Sequence, residues 1–403
     1  MTAIRPSNKV ATGLATATST KKSRKNMANM AVPSTAELAA QLVTQAVTIA
    51  MQKADISVAS SVLLFLTSEF ANDPQSAIKA AAKTANCTQI IGCSATGIFT
   101  EEDWIIDSPA AAAMVFSGDI SLNNVRNPLQ DQLLLTLTAP NAINTTWLNH
   151  NGVRFGGISG DAIGHGPFSV WENGKGTVQG RCEVKLHNTQ GAVAASHGLR
   201  FLNAPELVTS SIEHDILGLN QTSALHSLQN AWQKHDANAS LPILPTLPMH
   251  QLIAVYADTL TLIENGQYNV ASLITCDEIA KTVTLAKVLN EQQWICWAIR
   301  DELAAADDFK ATANRLGSTL NNMLNTPEQP DFGLLFSCLG RGPYLYGGQD
   351  KDLLILRELY PNMPFIGFYG NGEIAPINGK NELLQYSAVL GLFKENSAEN
   401  TAA

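Results

Sequence analysis

Uninterrupted apolar runs that end in glycine or serine recur along this chain, and they alternate with stretches whose apolar residues return every third or fourth position. The first kind predicts strands buried on both faces, the second helices with one face on a core. Val62-Leu63-Leu64-Phe65-Leu66-Thr67-Ser68 is such a strand, residues 74–83 such a helix, and Gln89-Ile90-Ile91-Gly92-Cys93-Ser94-Ala95-Thr96-Gly97 an answering strand that runs into a glycine loop. The same order returns near the end: Phe332 to Ser337, a helix over 351–359, then Pro364 to Gly372. A weaker third copy runs from Leu133 to Thr138 and from Val153 to Asp161, where Asp161 stands in place of the final glycine. A further strand follows each loop, over 110–116, 176–186 and 387–393. Strand, helix, strand, glycine loop and strand make an α/β unit. Its repetition predicts an α/β protein of two related domains, with mixed sheets built from these units.

Helical stripes cover 36–53 and 307–324, and the run from Asn238 to Pro248 carries prolines at Pro242, Pro245 and Pro248, which helices and central strands reject. The expected division is a basic disordered tail over 1–30, one domain over 31–245, a second over 246–394, and a short tail over 395–403.

Composition narrows the class. A chain of 403 residues, 45 % apolar and 15 % charged, buries a sizeable core and has more residues than one core usually serves. No run of 18 uninterrupted apolar residues exists, so no membrane span is expected. The six cysteines form no CxxC pair and no apolar signal core stands near Met1, which fits free thiols in a reducing, cytoplasmic setting. The first 36 residues hold six cations and no acid. Setting these aside from the net charge of −9 leaves about −15, which argues against nucleic acid as a partner of the folded body.

Glycine after a strand permits close approach, and its neighbouring N–H groups can hold an anion. GCSATG lacks the Gly-Lys-Ser/Thr of a phosphate loop, and GISGDAIG lacks the dinucleotide spacing. Their weight comes from recurring at the same place, because ligands collect at strand ends in α/β sheets.

GCSATG, FSCLGRG, GFYGNGEIAP and the closing YSAVLGLF together resemble FIST proteins, named for F-box and intracellular signal transduction, over roughly Val58 to Phe393. The resemblance implies a stand-alone cytoplasmic sensory module that binds a small ligand, with amino acids as suggested ligands and output through a signalling partner protein. One departure stands in the middle: where the family usually reads Gly-Cys-Arg-Pro, this chain has His197-Gly198-Leu199-Arg200.

The candidate ligand-binding residues are Cys93, Ser94, Gly97, Gly156, Gly157, Arg341, Gly342, Tyr369, Asn371, Gly372 and Glu373. A zwitterion needs a cation for its carboxylate and an anion for its ammonium, since neither charge can be desolvated alone. Arg341 and Glu373 are candidates for those two groups, or for a structural bridge with each other. Two other readings stay open. The first is a haem-binding nitric oxide sensor with His197 as ligand, since some FIST-like proteins are associated with haem and nitric oxide sensing; otherwise no cofactor is expected. The second is an enzyme with Cys93 as nucleophile, for which no signature supplies a base.

Overall fold

The computed structural model describes residues 9–17, 33–161, 163–176, 180–235, 247–324 and 327–396. The chain divides into two compact units, one built from the residues up to Ser196 together with those from Phe309 onward, the other from His197–Asp308. The expected boundary near Pro242 to Pro248 falls largely on residues 236–246, outside those described, and the compact units part elsewhere.

Among the described residues the larger unit holds three six-stranded mixed sheets. Each is centred on a parallel pair: Ser61–Thr67 with Ile90–Ala95, Leu133–Thr138 with Val153–Ile158, and Phe332–Cys338 with Phe365–Gly370. Beside the first member of each pair lies, antiparallel, the strand that follows the glycine loop: Ala110–Phe116, Arg181–His187 or Ala388–Glu395. An outer strand flanks that one, Val10–Thr16, Ser121–Asn124 or Thr189–Ser196. The α/β class and its repeated units are therefore present, and the weaker third copy is as complete in its strands as the other two.

Between its glycine loop and its closing strand, each copy sends a hairpin into a different sheet. Gly97–Thr100 of the first copy pairs with Phe365–Gly370 of the last. Glu373–Ile377 of the last pairs with Val153–Ile158 of the middle copy, and Val170–Glu172 of the middle copy pairs with Ile90–Ala95 of the first. The exchange closes on itself. One glycine makes it sterically possible in each sheet: Gly92, Gly156 and Gly367 occupy equivalent positions, and a Cβ there would lie 1.7, 1.9 and 1.7 Å from the carbonyl oxygens of Leu64, Thr136 and Leu335. Opposite these glycines on the incoming strands stand Trp171, Ile374 and Phe99, and Trp171 and Phe99 come within 2.7 and 2.5 Å of where a Cβ would be.

The inner faces share one aromatic core, in which Phe65 meets Phe368 at 4.9 Å and Phe336 at 6.4 Å, and Phe155 meets Phe336 at 6.3 Å. Helices cover two of the outer faces. Thr35–Ala54, started by a Ser34/Glu37 capping box, and Gln75–Ala85 pack on the first sheet, while Phe309 to Leu320 of the helix Glu302–Leu324 and the helix Lys351–Leu359 pack on the last. The middle copy has, between its parallel strands, a 3-10 turn at Pro140–Ala142 and the single-turn helix Thr145–Leu148.

One expectation needs correction. Val10–Thr16 lies within the predicted basic tail, yet it is a strand of the first sheet with Val10, Ala11 and Ala15 buried. Its small residues allow the alanine-rich helix to pack against its backbone, so closely that a Cβ on Gly13 would lie 2.1 Å from the Ala46 carbonyl oxygen.

In the smaller unit the sheet is antiparallel and closes on itself, because Trp294–Arg300 pairs with both Glu206–Ile212 and Leu252–Ala257. Ala224, Leu225 and Leu228 of the helix Ala224–His235 share its core with Val208, Ile216 and Trp297, and Trp297 Nε1 donates to Ser227 Oγ at 2.9 Å.

Candidate functional site

The three glycine loops meet where the second strands of the parallel pairs end. Ser159 Oγ donates to the Ser94 carbonyl at 2.6 Å, and the two serine hydroxyls lie 3.2 Å apart. Asn371 N donates to the Ile158 carbonyl at 3.0 Å, Ile158 N donates to the Gly372 carbonyl at 2.9 Å, and Gly97 pairs with Tyr369. The structure thus brings together Ser94, Gly97, Tyr369, Asn371 and Gly372 of the predicted set, with Gly157 and Glu373 paired beside them. Gly156 serves the close strand approach described above.

Glu373 occupies an unusual place. On the incoming strand it lies opposite Gly157, and the equivalent positions of the other two exchanged hairpins, opposite Phe368 and Cys93, hold Ile98 and Val170, both members of the apolar core. It is fully buried. Ser387 Oγ donates to its Oε2 at 2.7 Å, while among the described residues its Oε1 has no partner. Burial pushes its carboxyl well above the usual carboxylate range, and the hydroxyl and backbone N–H of Ser387 and the more distant Arg341 pull the other way to a smaller extent.

Arg341 is buried as completely, and it forms an ion pair with Asp352. Nε donates to Asp352 Oδ2 at 2.7 Å and Nη2 to Oδ1 at 3.2 Å, while Nη1 donates to the Ser196 carbonyl at 2.9 Å. Tyr346 Oη donates to Asp352 Oδ1 at 2.6 Å, and Tyr369 Oη donates to Asp350 Oδ2 at 2.5 Å. Asp350 also accepts from Leu353 N at the start of the last helix, and burial beside Asp352 pushes its carboxyl up to about 6. Gly342 has φ +46°, with Tyr369 packed where a side chain would be. Sequence reasoning did not single out Asp350, Asp352, Tyr346, Ser159 or Ser387. Of these, only Asp350 carried a local signal, an aspartate directly before an apolar-periodic helix.

Cys93 lies in the core, where burial pushes its thiol well above the ordinary range and holds it protonated, the opposite of what a nucleophile needs. His197 belongs to the smaller unit, where its ring lies tilted against Tyr268 at 4.6 Å and its backbone N donates to Asp308 Oδ2 at 2.9 Å. Among the described residues no group of three or more His, Cys, Asp or Glu is placed to hold a metal ion, all six cysteines are free, and no helix is long and apolar enough to cross a membrane.

An uncharacterised protein of Mycobacterium tuberculosis, Rv0628c, is 25 % identical over 238 residues, 59 % of this chain and 60 % of that protein. Mb0898c of Mycobacterium bovis, also uncharacterised, is 24 % identical over 241 residues, 60 % of each chain. Human F-box only protein 22 is 24 % identical over 135 residues, 31 % of this chain and 32 % of that protein. The chain thus matches about 60 % of the length of its mycobacterial relatives. The FIST N domain is matched by residues 60–222 and the FIST C domain by residues 228–376, and with more than half of its length accounted for in this way the chain belongs to the FIST family.

Proposed function

We propose that this chain is a ligand-sensing module of signal transduction, that it binds a small molecule carrying an ammonium group, with an amino acid as the simplest case, and that its output passes through a partner protein. The association of FIST domains with signal transduction supplies the setting. The observation that carries the ligand reading is Glu373. A carboxyl stands at a core position where the sister copies have Ile98 and Val170, and one of its oxygens is unmatched among the described residues. Burying such a group without a partner costs about 1–3 kcal/mol or more, and an ammonium that donates to Oε1 would offset that cost. Thr96 Oγ1 in the adjoining loop is likewise buried and unmatched, a donor suited to the ligand's carboxylate. Arg341 is neutralised by Asp352, so its part is to position the loop rather than to bind the ligand.

A thermal-shift screen over amino acids and simple amines tests the reading. A ligand at about 100 times its dissociation constant stabilises the native state by about 2.7 kcal/mol, which is visible as a shift of a few degrees. Glu373→Gln keeps the shape but cannot ionise to meet an ammonium, and is expected to abolish that shift while the unliganded protein still melts cooperatively. A shift of equal size in the variant would place the ligand elsewhere.

A further inference from the structure

The outer face of the middle sheet differs from its two counterparts in a consistent way. Strand register makes Ile90, Phe365 and Arg154 equivalent, each two residues before its sheet's close-approach glycine. By the same register Ala111, Ala388 and Arg181 correspond, as do Ala113, Leu390 and Glu183. In the first and last sheets these positions lie beneath helices and belong to their apolar clusters. In the middle sheet, which has two short helical turns in their place, the same three positions are charged and line a cleft of about 910 Å³.

A solvated sheet face is polar without being a site, but this one is built more tightly than that. Arg154 is 1 % exposed and fixed by Glu183 Oε1 at 2.6 Å, the His150 carbonyl at 2.8 Å and the Asn151 carbonyl at 3.1 Å. The guanidinium groups of Arg154 and Arg181 lie 5.5 and 4.8 Å from the centre of the Trp147 ring, which holds both in place. Trp147 is 4 % exposed, and among the described residues its indole N–H meets no acceptor. Glu183 compensates Arg154, whereas Arg181 and Arg126, both in the cleft wall, have no carboxylate within ion-pair distance among the described residues.

From this cleft we infer a second binding site, on the face of the middle sheet opposite Glu373, for a small hydroxylated organic anion whose carboxylate or phosphate is held by Arg181 with Arg126. A guanidinium without a counter-ion beside a buried, unmatched N–H calls for an acceptor-rich anion. Asparagine amides in the same wall, among them Asn127, Asn149 and Asn151, both donate and accept, which suits hydroxyl groups. The site is independent of the ammonium ligand proposed above.

Isothermal titration calorimetry on the full chain tests the proposal, with glucose 6-phosphate, gluconate, inorganic phosphate and neutral glucose as probes. Saturable binding of glucose 6-phosphate or gluconate, without binding of glucose, is expected, and the preferred anion tells phosphate from carboxylate. Arg181→Ala is expected to weaken that binding about tenfold or more at an unchanged melting midpoint, and Trp147→Phe about fivefold in a protein that still melts cooperatively. Should Arg181→Ala fail to fold, Arg181→Gln gives the same reading. Absence of saturable binding for both organic anions, or equal affinity in the Arg181 and Trp147 variants, overturns it.

Discussion

A carboxyl that keeps its proton in an apolar core leaves a trace in the pH dependence of folding. Because the native state holds Glu373's proton more tightly than the unfolded chain does, its contribution is fully present below the unfolded value near 4.5 and is lost as pH rises towards the higher native value. Asp350 acts in the same direction between its unfolded value of 3.8 and about 6. Denaturant melts across pH are therefore expected to show stability falling from about pH 4 upward. Asp350→Asn should lessen the fall between about pH 4 and pH 6, and Glu373→Gln should lessen it from about pH 4.5 upward; a variant curve parallel to the parent would count against the assignment. Arg341 offers a different test. Arg341→Ala leaves Asp352 buried and uncompensated and should cost about 3–5 kcal/mol in chemical denaturation, whereas the paired change to Met and Leu should recover most of it. Glu373 was legible in the sequence because glycines precede it and an apolar strand runs into them. Asp352 was not, since an ion pair spanning 11 residues leaves no local mark.

Elements were legible where their periodicity was strong. The last helix begins and ends as its apolar spacing predicts, at Lys351 and Leu359, and each buried run of the parallel pairs is a strand. Val10–Thr16 escaped because Val-Ala-Thr-Gly-Leu-Ala-Thr has little large apolar surface, and small residues pack by closeness rather than bulk. Removing residues 1–17 is consequently expected to lower the melting midpoint by several degrees, as the first sheet would lose its outer strand and the helix Thr35–Ala54 part of its seat. An unchanged midpoint would show the strand to be dispensable. Gly367→Ala makes a sharper case. The added methyl would overlap the Leu335 carbonyl of the neighbouring strand, which cannot move without breaking the parallel ladder, so a loss of at least about 1–3 kcal/mol is expected. The same change at Gly379, where nothing lies within 4 Å but φ is +72°, should cost less, about 1 kcal/mol. The cleft was invisible at this scale: Trp147, Arg154 and Arg181 sit on separate elements, and their oddity appears only when three sheets are compared position by position.

At the scale of the molecule, the closed sheet of the smaller unit enters the chain between an outer strand and the helix that leads into the last parallel pair. Its ends are held together, with Asp308 accepting from the backbone N–H of both His197 and Gly198, and a segment whose ends meet can be inserted with little disturbance. Residues 197–308 expressed alone are accordingly expected to unfold in one cooperative step, as judged by coincident circular dichroism and fluorescence transitions. This closure was beyond sequence reasoning because it joins Glu206–Ile212, Leu252–Ala257 and Trp294–Arg300, strands far apart in the chain with no repeat to announce them. The larger unit has the contrary character, and the cyclic exchange of hairpins bears on how such a chain is made. As synthesis proceeds, Gly97–Thr100 is produced early but has no sheet to join until Phe365–Gly370 has emerged, and the middle sheet likewise waits for Glu373–Ile377. In solenoid arrays each repeat contacts only its neighbours and folding can begin anywhere. Here the first repeat carries Phe99 on an unpaired edge through most of translation, a state exposed to aggregation until the closing residues leave the ribosome.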